Sequence, residues 1–126
     1  MISDMKKIVL ALVVCLFGVM AFAGPVIKFK EEIHDFGTIS ESDGDVTYEF
    51  VFTNTGDAPV VIHHINSSCG CTAAQWSEEP VAPGKTGVIK ATYHAKGYPG
   101  RFFKTLTVFT NAGEIKLRVK GEVKVY

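Results

Sequence analysis

Val46-Thr47-Tyr48-Glu49-Phe50-Val51-Phe52-Thr53 is the stretch on which the fold turns. Successive side chains of a strand point to opposite faces, so Val46, Tyr48, Phe50 and Phe52 share one face while Thr47, Glu49, Val51 and Thr53 share the other. This is the pattern of a half-buried strand. The C-terminal stretch repeats it, with Ile115, Leu117, Val119, Val123 and Val125 alternating against Lys116, Arg118, Lys120, Glu122 and Lys124. Gly121 interrupts that apolar row and points to a bulge or to close approach by a neighbouring strand. Lysines on the wet face discourage edge-to-edge pairing with another molecule.

Working outward, further strands are expected near residues 26–30, 59–65, 86–94 and 102–110, with a short one around Phe36 to Ile39. The punctuation agrees. Ala82-Pro83-Gly84-Lys85 and Tyr98-Pro99-Gly100-Arg101 each place proline and glycine where a type II turn needs them. Asp43-Gly44-Asp45, Asn54 to Asp57 and Asn111-Ala112-Gly113 are turn chemistry of the same kind. No stretch of about a dozen residues shows the 3.6-residue period of an amphipathic helix. About seven strands broken at intervals of about ten residues describe an all-β, immunoglobulin-like sandwich, with a β-barrel as the structural alternative. There is no internal repeat, linker or low-complexity segment.

The N-terminus has a different logic. Lys6-Lys7 precedes an apolar run of 16 residues, Ile8 to Ala23, which ends in Ala21-Phe22-Ala23 before Gly24-Pro25. A basic start, an apolar middle and a small-x-small end, in that order, read as a signal peptide over residues 1–23, leaving 24–126 as the sandwich domain. A membrane anchor competes, but the run falls short of the roughly 20 residues that a spanning helix needs. Cys15 follows Val13-Val14 and has a long apolar tail after it, which does not suit a lipidated cysteine.

Removal of residues 1–23 takes away Cys15 and all three methionines, Met1, Met5 and Met20. Of the 13 Lys/Arg and 13 Asp/Glu in the chain, Lys6, Lys7 and Asp4 go with the leader, leaving 11 against 12. A net charge near −1 gives no electrostatic footprint for nucleic acid or for an anionic membrane surface. The expected location is periplasmic or secreted, with no membrane insertion of the mature chain.

The sharpest chemical feature is Ser67-Ser68-Cys69-Gly70-Cys71-Thr72, which follows the strand ending His63-His64-Ile65. Three readings compete for it. In an oxidising compartment neighbouring thiols tend to a disulfide. A regular strand would hold the two Cα atoms about 6.6 Å apart, the upper edge of the bridging range, and Gly70 relieves this by allowing a tight turn. Such a bond closes too small a loop to restrain the unfolded chain much, so its use would be redox chemistry or local shaping. The second reading is a metal site of Cys69 and Cys71 with His63 or His64. Cys-x-Cys is a weaker pattern than Cys-x₂-Cys, and adjacent histidines in a strand point to opposite faces. The third reading is two buried, reduced cysteines packed as small apolar residues.

The remaining candidates favour structure over chemistry. His34 and His94 read as surface or hydrogen-bonded structural residues. Trp76, Tyr93, Tyr98, Phe102 and Phe103 would supply a binding surface, although a core role explains most of them, and Phe102-Phe103 should send one ring inward and one outward. Asn66-Ser67-Ser68 matches a glycosylation acceptor only as a short pattern. No nucleophile elbow, His-Glu-x-x-His helix or phosphate-binding glycine loop is present, and no catalytic residue and no cofactor is assigned.

Read in order, the motifs are His34-Asp35-Phe36-Gly37-Thr38-Ile39, Tyr48 to Pro59, Ser68 to Thr72, Trp76, Val81 to Lys85, Gly100 to Lys104 and Thr110-Asn111. With these the chain resembles a widespread bacterial family of exported domains of unknown function, common in Bacteroidetes, and is similar in outline to the major sperm protein and hydin-type immunoglobulin-like domains. The resemblance covers roughly residues 30–123. It implies a sandwich of about seven strands, an exported or envelope location and Cys69-Gly70-Cys71 as a family feature, and it supplies no reaction. The expected function is a non-enzymatic envelope module that binds a protein, peptide or glycan partner. A thiol-disulfide or metal-binding accessory role is the alternative.

Overall fold

A computed structural model describes residues 24–126, so the leader expected over 1–23 lies outside the described residues. The chain forms eight strands: β1 (Ile27–Phe29), β2 (Ile33–Ser40), β3 (Asp45–Asn54), β4 (Ile62–Ser67), β5 (Thr72–Trp76), β6 (Thr86–His94), β7 (Gly100–Thr110) and β8 (Gly113–Lys124). One sheet has the order β1-β3-β6-β5 and the other β2-β8-β7-β4. Pairing is antiparallel except for β2 with β8, which run parallel. Two four-stranded sheets face to face are an immunoglobulin-like β-sandwich, as the alternating patterns require.

The alternation decides which side chains meet. Phe50 and Phe52 of β3 and Ile89, Ala91 and Tyr93 of β6 point inward from one sheet, and all five are buried. Leu106 and Val108 of β7 and Leu117, Val119 and Val123 of β8 answer from the other. Each large side chain so buried contributes about 1.5–3 kcal/mol. Phe102 enters the core and stacks on Tyr93 with ring centroids 3.7 Å apart, while Phe103 stays 57% exposed. Tyr93 and Phe102 are therefore core residues. His34 stacks on Tyr48 at 3.7 Å and His94 Nδ1 lies 2.8 Å from Asp45 Oδ1, both structural placements.

Several details depart from strict pattern reading. β5 is an eighth strand, because Thr72-Ala73-Ala74-Gln75-Trp76 has little β propensity of its own and is strand only through pairing with β6. The hydrogen-bonded turn before β7 is Ala95 to Tyr98, closed by Tyr98 N donating to Ala95 O at 3.1 Å with Gly97 at φ +85°, three residues ahead of the one expected at 98–101. The turn at Ala82 to Lys85 forms as expected, with Gly84 at φ +77°. Val125 lies beyond β8 and is 73% exposed, so it does not extend the apolar row. Gly121 marks a close approach: a Cβ there would lie 2.9 Å from Gly37 O and 2.9 Å from Phe102 Cζ. The bulge itself is in the partner strand, between Asp35 and Thr38 of β2.

Candidate functional site

The Cys-Gly-Cys motif is the crossing between the sheets. β4 is the outer strand of one sheet and β5 the outer strand of the other, and residues 68–71 carry the chain from the first edge to the second. A short link between stacked edges must bend sharply. Thr72 N donates to Cys69 O at 3.2 Å, closing a turn that brings the two cysteine Cα atoms to 5.2 Å, and the sulfurs are bonded to each other. Gly70 makes this turn without a positive φ, and a Cβ on it would meet nothing within 4 Å. Glycine's special backbone freedom is thus not what the turn uses.

The motif is tied down on both sides by main-chain partners. Ser68 N donates to Thr105 O at 2.9 Å, and Thr105 N donates to Ser68 Oγ at 3.0 Å. Ser67 Oγ donates to Cys69 O at 2.6 Å, and His94 N donates to Cys71 O at 2.7 Å. Cys71 is fully buried, whereas Cys69 is partly exposed and its Sγ accepts from Cys71 N at 3.1 Å.

The histidines do not join the cysteines. A bulge at His63 lets Ile62 and Ile65, three apart, both reach the core, which leaves His63 and His64 both exposed instead of on opposite faces. His64 packs edge-on to Trp76 with ring centroids 6.1 Å apart. Among the described residues no three His, Cys, Asp or Glu side chains converge to hold a metal ion.

Two features of the molecule had no clear sequence signal. Asn54 looks like an ordinary turn residue, yet it is fully buried: its Nδ2 donates to Ala58 O at 2.7 Å and Val81 O at 2.9 Å, and its Oδ1 accepts from Gly56 N at 3.0 Å. A shallow open groove of about 510 Å³ crosses the outer face of the second sheet between Asp35, Arg101, Phe103, Lys120 and Glu122, floored by Gly37 and Gly121. Ion pairing with Lys124, and then with Arg101, holds the Glu122 carboxyl below its ordinary range. The Gly121 interruption and the Phe102-Phe103 pair were the only sequence traces of that groove.

Over residues 27–123 the chain matches the model of a family described as protein of unknown function, DUF1573. It belongs to that family. No curated protein sequence matches it significantly. The DUF1573 chain is similar in structure to a protein of unknown function from Porphyromonas gingivalis W83, with TM-score 0.69 and 17% identity, over 82% of this chain and 49% of that one. It is also similar to the CupB2 chaperone of Pseudomonas aeruginosa (TM-score 0.56, 13% identity, 76% of this chain and 55% of that one). A third likeness is to the secreted serine protease VesC of Vibrio cholerae (TM-score 0.55, 17% identity), over 79% of this chain but 23% of the protease. The DUF1573 chain thus spans about half or less of the length of the first of these and a smaller share of the protease. At these identities the likeness establishes the sandwich, not an activity.

Proposed function

We propose that the chain is an exported, non-enzymatic binding module of the cell envelope that holds an extended polypeptide along the free edge of β5. The observation that carries this reading is the contrast among the four edge strands. β1 is three residues long and contains Lys28, with Lys30 directly after it. β2 is bulged between Asp35 and Thr38, and β4 is bulged at His63. Short length, charge and bulges are the means by which natural sheets refuse a further strand. β5 has five residues with no charge, no proline and an unbroken register against β6. Its outward backbone N–H and C=O groups are a template for strand addition.

Export is supported by the order of the residues before Gly24, and a non-enzymatic role for the β5 edge by its composition, Thr72-Ala73-Ala74-Gln75-Trp76, which supplies no general acid or base. Glycan recognition is the competing outcome. The test is crosslinked capture from envelope extract with the wild type and with A73K/Q75K, which charges two exposed positions of the edge. With an unchanged melting temperature, the variant is expected to lose about tenfold or more of the captured polypeptide. Equal capture by the two proteins, or capture of glycan alone, would reject the β5 reading. Mass measurement of the protein from the envelope fraction is expected to show cleavage after Ala23.

A further inference from the structure

The two sulfurs of the Cys69–Cys71 pair differ in everything that governs attack on a disulfide. Exchange needs a thiolate to reach one sulfur and the other sulfur to leave. Cys71 is fully buried and so offers no approach, with Thr72 Oγ1 3.8 Å from its Sγ. Cys69 is partly exposed, and Ser67, Ser68 and Gly70 around it are all exposed. Gly70 adopts no backbone conformation that demands glycine and no neighbour crowds it. What its missing side chain does provide is open space at the middle of the motif.

We infer that Cys69-Gly70-Cys71 is a thiol–disulfide exchange site with a fixed division of roles: Cys69 is the sulfur that substrate thiols and disulfides meet, and Cys71 is the resolving sulfur. In the oxidising direction a substrate thiolate attacks Cys69 Sγ, the Cys69–Cys71 bond breaks, and Cys71 leaves as a thiolate that takes a proton. A second substrate thiolate then attacks the substrate sulfur of the mixed disulfide, forming the substrate disulfide and releasing Cys69 as thiolate. The substrate dithiol loses two electrons and the cysteine pair gains them. In reverse, a Cys69 thiolate attacks a substrate disulfide and Cys71 closes on Cys69 to release it. The N–H of Cys71 directed at Cys69 Sγ favours negative charge on the sulfur that must attack in that direction.

The loop is also built to survive opening. Its bonds from Ser67 Oγ to Cys69 O, from Thr72 N to Cys69 O, from His94 N to Cys71 O, and between Ser68 and Thr105 involve neither sulfur. The pair can therefore open and reclose with its two sulfurs still held as neighbours. Stability gives no competing account of the bond, because a loop this short barely restrains the unfolded chain.

The inference is independent of the β5 edge, since it is tested with small thiols and no polypeptide. Full-length wild type is reduced with dithiothreitol under native conditions, pulsed with iodoacetamide and mapped by mass spectrometry. Cys69 is expected to be alkylated at least about tenfold faster than Cys71. With glutathione disulfide as probe, C71S is expected to accumulate a mixed disulfide on Cys69, C69S to react at least about tenfold more slowly, and G70V to slow exchange about fivefold with an unchanged melting temperature. Equal labelling of Cys69 and Cys71 in the wild type, or a reduction rate that rises with denaturant in step with global unfolding, would overturn it. The wild-type labelling ratio decides the question even if a single-cysteine variant fails to fold.

Discussion

At the scale of single residues, Asn54 holds more of the fold than its place in a turn suggests. It bonds Ala58 O, Val81 O and Gly56 N from a fully buried position, and since Val81 O also accepts from Val60 N, its removal takes the partner from Ala58 O and Gly56 N, both on half-buried residues. Asn54→Ala is expected to cost about 3 kcal/mol in urea unfolding, since each orphaned buried group costs about 1–3 kcal/mol. A loss below about 1 kcal/mol would show that water replaces the side chain. Trp76 is the opposite case: its Nε1 is buried without a hydrogen-bond partner, so Trp76→Phe loses no hydrogen bond and should cost only the packing of the larger ring against the core, about 1.5 kcal/mol or less in urea unfolding. Tyr48 donates its hydroxyl to Glu31 Oε2 at 2.8 Å, and that bond, burial and the Glu31 charge hold its phenol above the ordinary range. A value raised by folding stabilises fully below the unfolded pKa of about 10 and is lost as pH rises through the folded value. Urea midpoints taken above about pH 10 should therefore fall less steeply in Tyr48→Phe than in the wild type.

At the scale of elements, the long strands were legible because both of their faces are spelled out in the chain. β6 runs over the expected 86–94, and β3 and β8 differ from expectation by one or two residues at their ends. β5 was not legible, because two alanines and a glutamine carry no alternation and only the β6 register makes them strand. The histidine pair failed for a related reason: a one-residue bulge at His63 resets which side chains face inward, and no local composition announces it. Gly121 did announce a close approach, although the bulge fell on the partner strand. Gly121→Ala would press a methyl group 2.9 Å from the Gly37 carbonyl oxygen, which belongs to backbone and cannot swing aside. A loss of about 1–3 kcal/mol by thermal or urea unfolding is expected, with β2 loosening first in hydrogen exchange.

For the whole molecule, the disulfide and the sandwich are energetically separable. A three-residue loop removes little entropy from the unfolded chain, about 1.5 kcal/mol in the chain-entropy account. C69S/C71S is therefore expected to keep its far-UV circular dichroism and to lose no more than about 2 kcal/mol by urea unfolding. Collapse of that variant would make the bond a structural staple. Its survival would leave the motif free for chemistry.

Sequence alone determined that this chain is all-β, with the strand count and spacing of a sandwich, and that its one distinctive chemical feature is Cys69-Gly70-Cys71, because alternation and turn residues are local properties written in consecutive positions. Tertiary structure decided what the motif is: a crossing between two sheet edges, with one cysteine buried and one partly exposed, beside an edge strand that no pattern predicted. Burial and edge position depend on partners distant along the chain, Thr105 and His94 for the loop and β6 for the strand. Neighbours in sequence cannot encode them.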